Sequence, residues 1–212
     1  MHVWIATLAA CGSSGTEDFP SVLAPLEENQ APWPEGTPSD PYPETLEIVS
    51  GGDAELWWAH ARGFVHADAA EVWAAARDAD TVVDRREVDE WEVTPGTVPE
   101  FEDSLTIACT VHDVLTISYD LTWVHELQKG ERTAPERVVA QWDKTDGTPF
   151  IDTLTGSMVI EPTDEAGVTR IELVEHLKAS LRDDETIASY LRDLHGSIAA
   201  TAHGDPLPTY SR

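Results

Sequence analysis

The feature that most restricts the fold of this chain is its last long segment. "DDETIASYLRDLHGSIAATAHGDP" places Ile187, Leu191, Leu194, Ile198 and Ala202 at helical spacing, with Asp183 or Asp184 to cap its start and Gly204 and Pro206 to stop it. Much of what precedes it reads as strand. In "LTISYDLTWVHEL", Ile117, Tyr119, Leu121, Trp123, His125 and Leu127 alternate with Thr116, Ser118, Asp120, Thr122, Val124 and Glu126, the period of a half-buried strand. "VDEWEV", "SLTIACTV", "RVVAQWDK", "TGSMVIEP" and "VTRIELVEHL" are further strands, with Asp146-Gly147 and Glu165-Ala166-Gly167 as turns. Ahead of them stand a strand in "LWWAHARGFVH" and the alanine-rich "ADAAEVWAAARDADTVVDRRE". In the latter, Val72, Trp73, Ala76 and Val82-Val83 predict one or two short helices with Asp68 as N-cap. A sheet with one apolar face must cover that face, and only the closing helix is long enough. The expected fold is α+β: a curved antiparallel sheet gripping a long C-terminal helix, with two short helices after the first strand. Such surfaces are not fully complementary, so a cavity between them is expected.

The 212 residues suit one domain with extensions. Thirteen Lys+Arg against 40 Asp+Glu give a formal charge of -27. That excess repels phosphate backbones, which excludes a nucleic-acid partner, and reads as a solvated acidic surface. Seven of the 14 prolines fall between Pro20 and Pro43, and no Lys or Arg precedes Arg62. Proline at this density opposes helix and sheet, and like charges extend a chain. The expected organisation is a signal-like segment over 1–11, an acidic tether over 12–53, a globular domain over 54–204 and a tail over 205–212. Trp33 and Leu46-Ile48-Val49 are the tether residues able to dock on the domain. Trp57 and Trp58 must point to opposite faces of their strand, so docking of the tether over one of them is the preferred reading.

Two resemblances extend this reading. In "MHVWIATLAACGSS" the apolar run Val3 to Ala10 is far short of the roughly 20 residues that cross a bilayer as a helix. Leu8-Ala9-Ala10-Cys11 resembles a lipobox, which implies a lipid on Cys11 and a place in the bacterial cell envelope. Gly12 after the cysteine implies outer-membrane delivery. Second, "VHADAAEVWAAARDAD" resembles the first strand-to-helix passage of the START/SRPBCC superfamily, the helix-grip fold. "GSMVIEPTDEAGVTRIELVEH" is similar to its penultimate hairpin, and the closing helix follows in order over residues 54 to 204. The resemblance implies a hydrophobic small molecule, such as a lipid, sterol, polyketide or quinone, held beneath the long helix without a universal catalytic motif. By position it implies a pocket from Leu105, Ile107, Cys109, Tyr119, Leu121, Trp123 and His125 on the third and fourth strands. Met158 on a later strand and Leu191 and Leu194 on the helix would face them. Core packing is the better explanation of each of these residues taken singly, so the case for function rests on the cavity as a whole.

No chemistry stands out beside that cavity. His112, His125, His176 and His195 are scattered without metal-ligand spacing. There is no G-x-S-x-G, P-loop or dinucleotide fingerprint. Cys109, alternating with Ile107 and Val111, reads as a small buried hydrophobe. No catalytic residue, metal or cofactor is therefore assigned. The reading is a monomeric, envelope-anchored binding protein for an apolar small molecule. Its alternatives are a cyclase- or hydrolase-like enzyme of the same fold, with polar groups converging in the pocket, and a cavity-less interaction domain.

Overall fold

In the computed structural model, which describes residues 19–53, 55–112, 114–180 and 183–211, eight strands form one antiparallel sheet. They are β1 (Leu46–Gly52), β2 (Trp57–Val65), β3 (Glu90–Pro95), β4 (Asp103–His112), β5 (Thr116–Glu131), β6 (Ala134–Gly147), β7 (Ile151–Pro162) and β8 (Thr169–Ala179). Two short helices, α1 (Ala69–Ala76) and α2 (Ala79–Val82), separate β2 from β3, and α3 (Asp184–His203) closes the chain. The strand order β1-β2-β8-β7-β6-β5-β4-β3 pairs the first two strands with the last, so the chain wraps back on itself. This is the α+β helix-grip arrangement expected from the alternating strands and the single long helix.

The helix ends follow from their side chains. Asp68 and Glu71 form a capping box at α1. Asp183 accepts a hydrogen bond from the Thr186 N–H at α3. Gly204 ends α3 in the left-handed conformation (φ 74°), which a residue without Cβ adopts at no steric cost. Across the sheet, Ile171, Leu173 and Leu177 of β8 share the inner face with Met158 and Ile160 of β7 and with Val138, Ala140 and Trp142 of β6. Ile187, Leu191, Leu194 and Ile198 of α3 pack into that core, as do Val72 and Trp73 of α1.

The outer face is covered by the upstream segment, as the preferred docking reading expected, but by more of it than Trp33 and residues 46–49. Within residues 19–53, read from the sequence as part of a tether, Leu23, Asn29 and Ala31 are buried, while 35–41 are exposed. Leu46–Gly52 is the edge strand β1, paired with β2, so the sheet begins ahead of residue 54. Upstream, Leu23 is buried in a second apolar cluster with Phe101, Val124, Val139 and Val159. The last three are outward-facing residues of β5, β6 and β7. The ladder there is already complete, so side chains make the polar contacts. The Asn29 amide donates to the Ala61 and Leu173 carbonyls at 2.9 and 3.0 Å. Leu23 N–H donates to Glu126 at 2.7 Å, and Leu26 N–H to Ser157 Oγ at 3.0 Å. Trp33 stacks on outward-facing Phe64 at 5.2 Å, with the Arg62 guanidinium 5.3 Å from its ring. Proline does keep residues 20–43 free of helices and of the eight strands, but an apolar stripe beneath them supplies the reason to dock. Cys11 and the rest of the lipobox-like stretch lie outside the described residues.

Candidate ligand cavity

A cavity of about 480 Å³ lies between the inner face of the sheet and the first turns of α3. That is within the usual range for small-molecule sites. Its sheet wall includes Ile107, Cys109 and Val111 of β4 and Ile117, Tyr119 and Leu121 of β5. Leu154 of β7 and Leu177 of β8 continue it, and Ile187 and Tyr190 of α3 form the roof. At its mouth stand Val114 and Leu115 of the β4–β5 hairpin and Phe150 of the β6–β7 loop. These three are exposed, Val114 by 93 %. An apolar mouth on so acidic a chain is an unusual use of surface.

Trp142 forms part of the wall and marks where the cavity ends. It stacks on Trp123 with ring centroids 4.3 Å apart. Its indole lies across Gly156 of the neighbouring β7, where a Cβ would stand 2.0 Å from Cζ2. The missing side chain at 156 is what makes room for the ring. This double-tryptophan layer explains where the sequence-predicted pocket residues fall. Ile107, Cys109, Tyr119 and Leu121 line the cavity. Leu105, Trp123, His125, Met158, Leu191 and Leu194 do not; they fill the core beyond it. They share faces with the lining residues, but they lie further along their strands and helix, towards α1. His125 stacks on Trp123 at 6.1 Å, and neither of its ring nitrogens has a hydrogen-bond partner. Burial holds its pKa down to about 3, so it is neutral at physiological pH.

Sequence reasoning missed the polar groups of the cavity. Asp84 and Glu87, from the loop between α2 and β3, and Glu175 of β8 all line it. Burial raises the Asp84 carboxyl to about 6, even though it accepts hydrogen bonds from the N–H groups of Arg86 and Glu87. Glu175 is 1 % exposed, and its Oε2 has no partner. Burial, followed by the nearby Asp84 charge, pushes its pKa well above the ordinary carboxylate range. Its signal was present in "RIELVEHL", where alternation puts Glu175 on the face of Ile171, Leu173 and Leu177. The segment around Asp84 carries no comparable pattern. Cys109 is a free thiol that burial pushes up to about 12, and no histidine lines the cavity among the described residues. A thiolate nucleophile is therefore unsupported.

The structure also joins histidines that the sequence left scattered. His60 of β2 and His176 of β8 both approach Glu27 Oε1 of the docked segment, at 2.9 and 2.8 Å from Nε2. The three ligand atoms lie within 4.8 Å of one another, a spacing that could hold a metal ion. However, His60 Nδ1 accepts the Gln30 N–H at 2.9 Å. That contact places the ring proton on Nε2, where it is donated to Glu27 and blocks coordination. The cluster serves as a hydrogen-bonded latch for the docked segment. His60 is fully buried, which lowers its pKa, while the two imidazoles lower that of Glu27.

No protein-family model matches the chain, and no curated protein sequence matches it. Solved structures do. A STAR-related lipid transfer protein from Xanthomonas axonopodis aligns with TM-score 0.52 at 11% identity, covering 76% of this chain and 93% of that one. The human StarD13 lipid transfer and protein localization domain aligns with TM-score 0.51 at 10% identity, covering 76% and 83%. With its cavity under the closing helix, this chain has the helix-grip fold of STAR-related lipid-transfer domains.

Proposed function

We propose that the protein binds a hydrophobic small molecule in the cavity under α3. The observation that carries this reading is the cavity itself: an apolar-walled space of about 480 Å³ opening through exposed Val114, Leu115 and Phe150. Water gains little from such a surface, and an apolar ligand gains from leaving water for it. The lipid-transfer activity named for the two structural neighbours agrees with this reading. Nile red, a neutral apolar dye, is the test probe. It should bind at one equivalent with enhanced fluorescence, and Ile117→Trp, which projects an indole into the cavity, should weaken it at least 10-fold. Absence of dye binding and of any apolar molecule in the native mass of the purified protein would overturn the reading.

The second part of the proposal is a lipid anchor on Cys11, in a bacterial envelope. It is supported by Leu8-Ala9-Ala10-Cys11 and by the apolar run before it. Because the segment docks on the sheet from residue 19, only residues 12–18 separate the anchor from the domain. Fully extended they reach about 25 Å, so the cavity would stay close to the membrane. The full chain made in bacteria should partition into the detergent phase of Triton X-114. Cys11→Ser should move it to the aqueous phase, and an unmoved partition would remove the anchor.

A second reading, an acid–base enzyme, draws on Asp84, whose pKa of about 6 suits proton transfer near neutral pH. It predicts that a bound molecule changes mass on incubation with the wild type and stays intact with Asp84→Asn.

A further inference from the structure

Packing does not explain the acid at position 175 of β8. Its register partners on β2 and β7 are Ala59 and Gly156, small residues that would leave space for an apolar side chain there. The residues on either side of it along the same face are Leu173 and Leu177, both buried. Glu175 nevertheless lines the cavity, 1 % exposed, and its Oε2 has no hydrogen-bond partner. A buried polar atom is ordinarily supplied with a partner, and one left alone costs stability. An acid in that position destabilises the empty protein, which is the cost expected of a group kept for a ligand.

The protonation state of Glu175 decides what that ligand must offer. Burial, followed by the nearby Asp84 charge, keeps the carboxyl neutral at physiological pH. A neutral carboxyl has one O–H to donate, and it gives a cation no charge to pair with. Its complement is an uncharged oxygen that accepts. Position gives the ligand its direction. Gly156, opposite Glu175 on β7, lies under the Trp142 ring that closes the inner end of the cavity. Further along β8, Leu177 and Ala179 line the wall, and the Ser180 N–H donates to the Phe150 carbonyl at the mouth, at 3.0 Å. The acid therefore stands at the inner end, and an apolar wall runs from it to the mouth. Resting on the carrier reading above, we infer that the cavity's ligand is an uncharged apolar molecule bearing a carbonyl, a ketone or ester, which enters oxygen first and accepts the Glu175 O–H. Its hydrocarbon part lies against Leu177 and its register partner Leu154.

The test pairs butyrophenone with butylbenzene, which has the same skeleton without the oxygen. Each displaces Nile red from the full protein at pH 7, with the dye's own affinity measured for every variant. Glu175→Leu should lower the ketone's affinity relative to the hydrocarbon's by about 10-fold, because the carbonyl then enters the cavity unpaired. Glu175→Gln keeps a neutral N–H donor in the same place and should hold that ratio within about 3-fold of the wild type. Glu175→Leu should melt at or above the wild-type temperature, since it removes the unpartnered acid, so its loss of ketone is not a loss of fold. Infrared spectra with an isotope-labelled carbonyl need no variant: the C=O band of the bound ketone should lie below its position in hexane. A ratio unchanged by Glu175→Leu, or a bound band at the hexane position, overturns the carbonyl inference while the carrier reading stands. Equal losses in Glu175→Leu and Glu175→Gln would make the carboxylate rather than a neutral donor the recognised feature, and also overturn it. Failure of butyrophenone, butylbenzene and Nile red alike to bind removes both.

Discussion

Removing residues 1–44 should lower the melting temperature of the protein by about 10 °C and make it prone to self-association. The docked segment contributes more than a cover. Leu23 is 1 % exposed between Phe101, Val124, Val139 and Val159, and burying one leucine is worth about 1.5–3 kcal/mol. Asn29 ties two adjacent strands through the Ala61 and Leu173 carbonyls, and Glu27 accepts from His60 and His176. Such hydrogen bonds add about 0.5–1.5 kcal/mol each, and ordering the segment takes part of the sum back. A net loss of about 3–5 kcal/mol remains, at about 2–4 °C per kcal/mol for a chain this size. Differential scanning calorimetry of the truncated chain measures it, with light scattering for association through the uncovered valines. A shift below about 2 °C would mean that the segment lies on the sheet without stabilising it. Leu23→Asp should reproduce about half of the effect without shortening the chain.

The same residues show how much could be read from sequence. The inner face of the sheet was legible because alternation is strict there, and the helix because its stripe is regular and its caps are explicit. The covered outer face was legible only in part: docking through Trp33 was expected, but the cluster around Leu23 was not, although Val124 broke an otherwise polar set in "LTISYDLTWVHEL". Val139 and Val159 lie beside it only through the register of β5 with β6 and of β6 with β7, which no single segment specifies. Alternation also says which face a residue occupies, not how far along the strand a cavity extends. Tyr119 and Leu121 therefore line the cavity, while Trp123 and His125, two and four positions beyond Leu121 on the same face, lie in solid core. The boundary is set by a tryptophan stacked from β6 and a glycine on β7, a contact between residues distant in sequence.

The missing polar groups follow a similar logic. Glu175 sits at an apolar position of a clear alternation, so its conflict with the pattern was readable even though its isolation was not. Violations of this kind concentrate where function asks for them. Asp84 reaches the cavity from a loop between short elements. Only the closing of α3 over the sheet brings it to the same space as Glu175.

That boundary sets up the second large effect. Gly156→Val should destabilise the protein by about 3 kcal/mol or more, a fall of about 6–12 °C in melting temperature, and should also abolish Nile red binding. A Cβ at 156 would stand 2.0 Å from Trp142 Cζ2 and 2.1 Å from Cε2, distances at which the ring must move. The ring cannot turn aside cheaply, because it is fully buried and stacked on Trp123, itself fully buried. The open direction is the cavity, so relief of the clash fills the ligand's space. The backbone supplies no competing explanation, since Gly156 is a regular strand residue without a positive φ. A smaller ring tests this cause directly. Trp142→Phe alone should cost stability by leaving a void, whereas in Gly156→Ala it should restore part of what the alanine removes. The coupling from this double-mutant cycle should exceed about 1 kcal/mol. Additive effects would locate the sensitivity of Gly156 elsewhere than under the Trp142 ring, and the cavity would then need another explanation for its inner end.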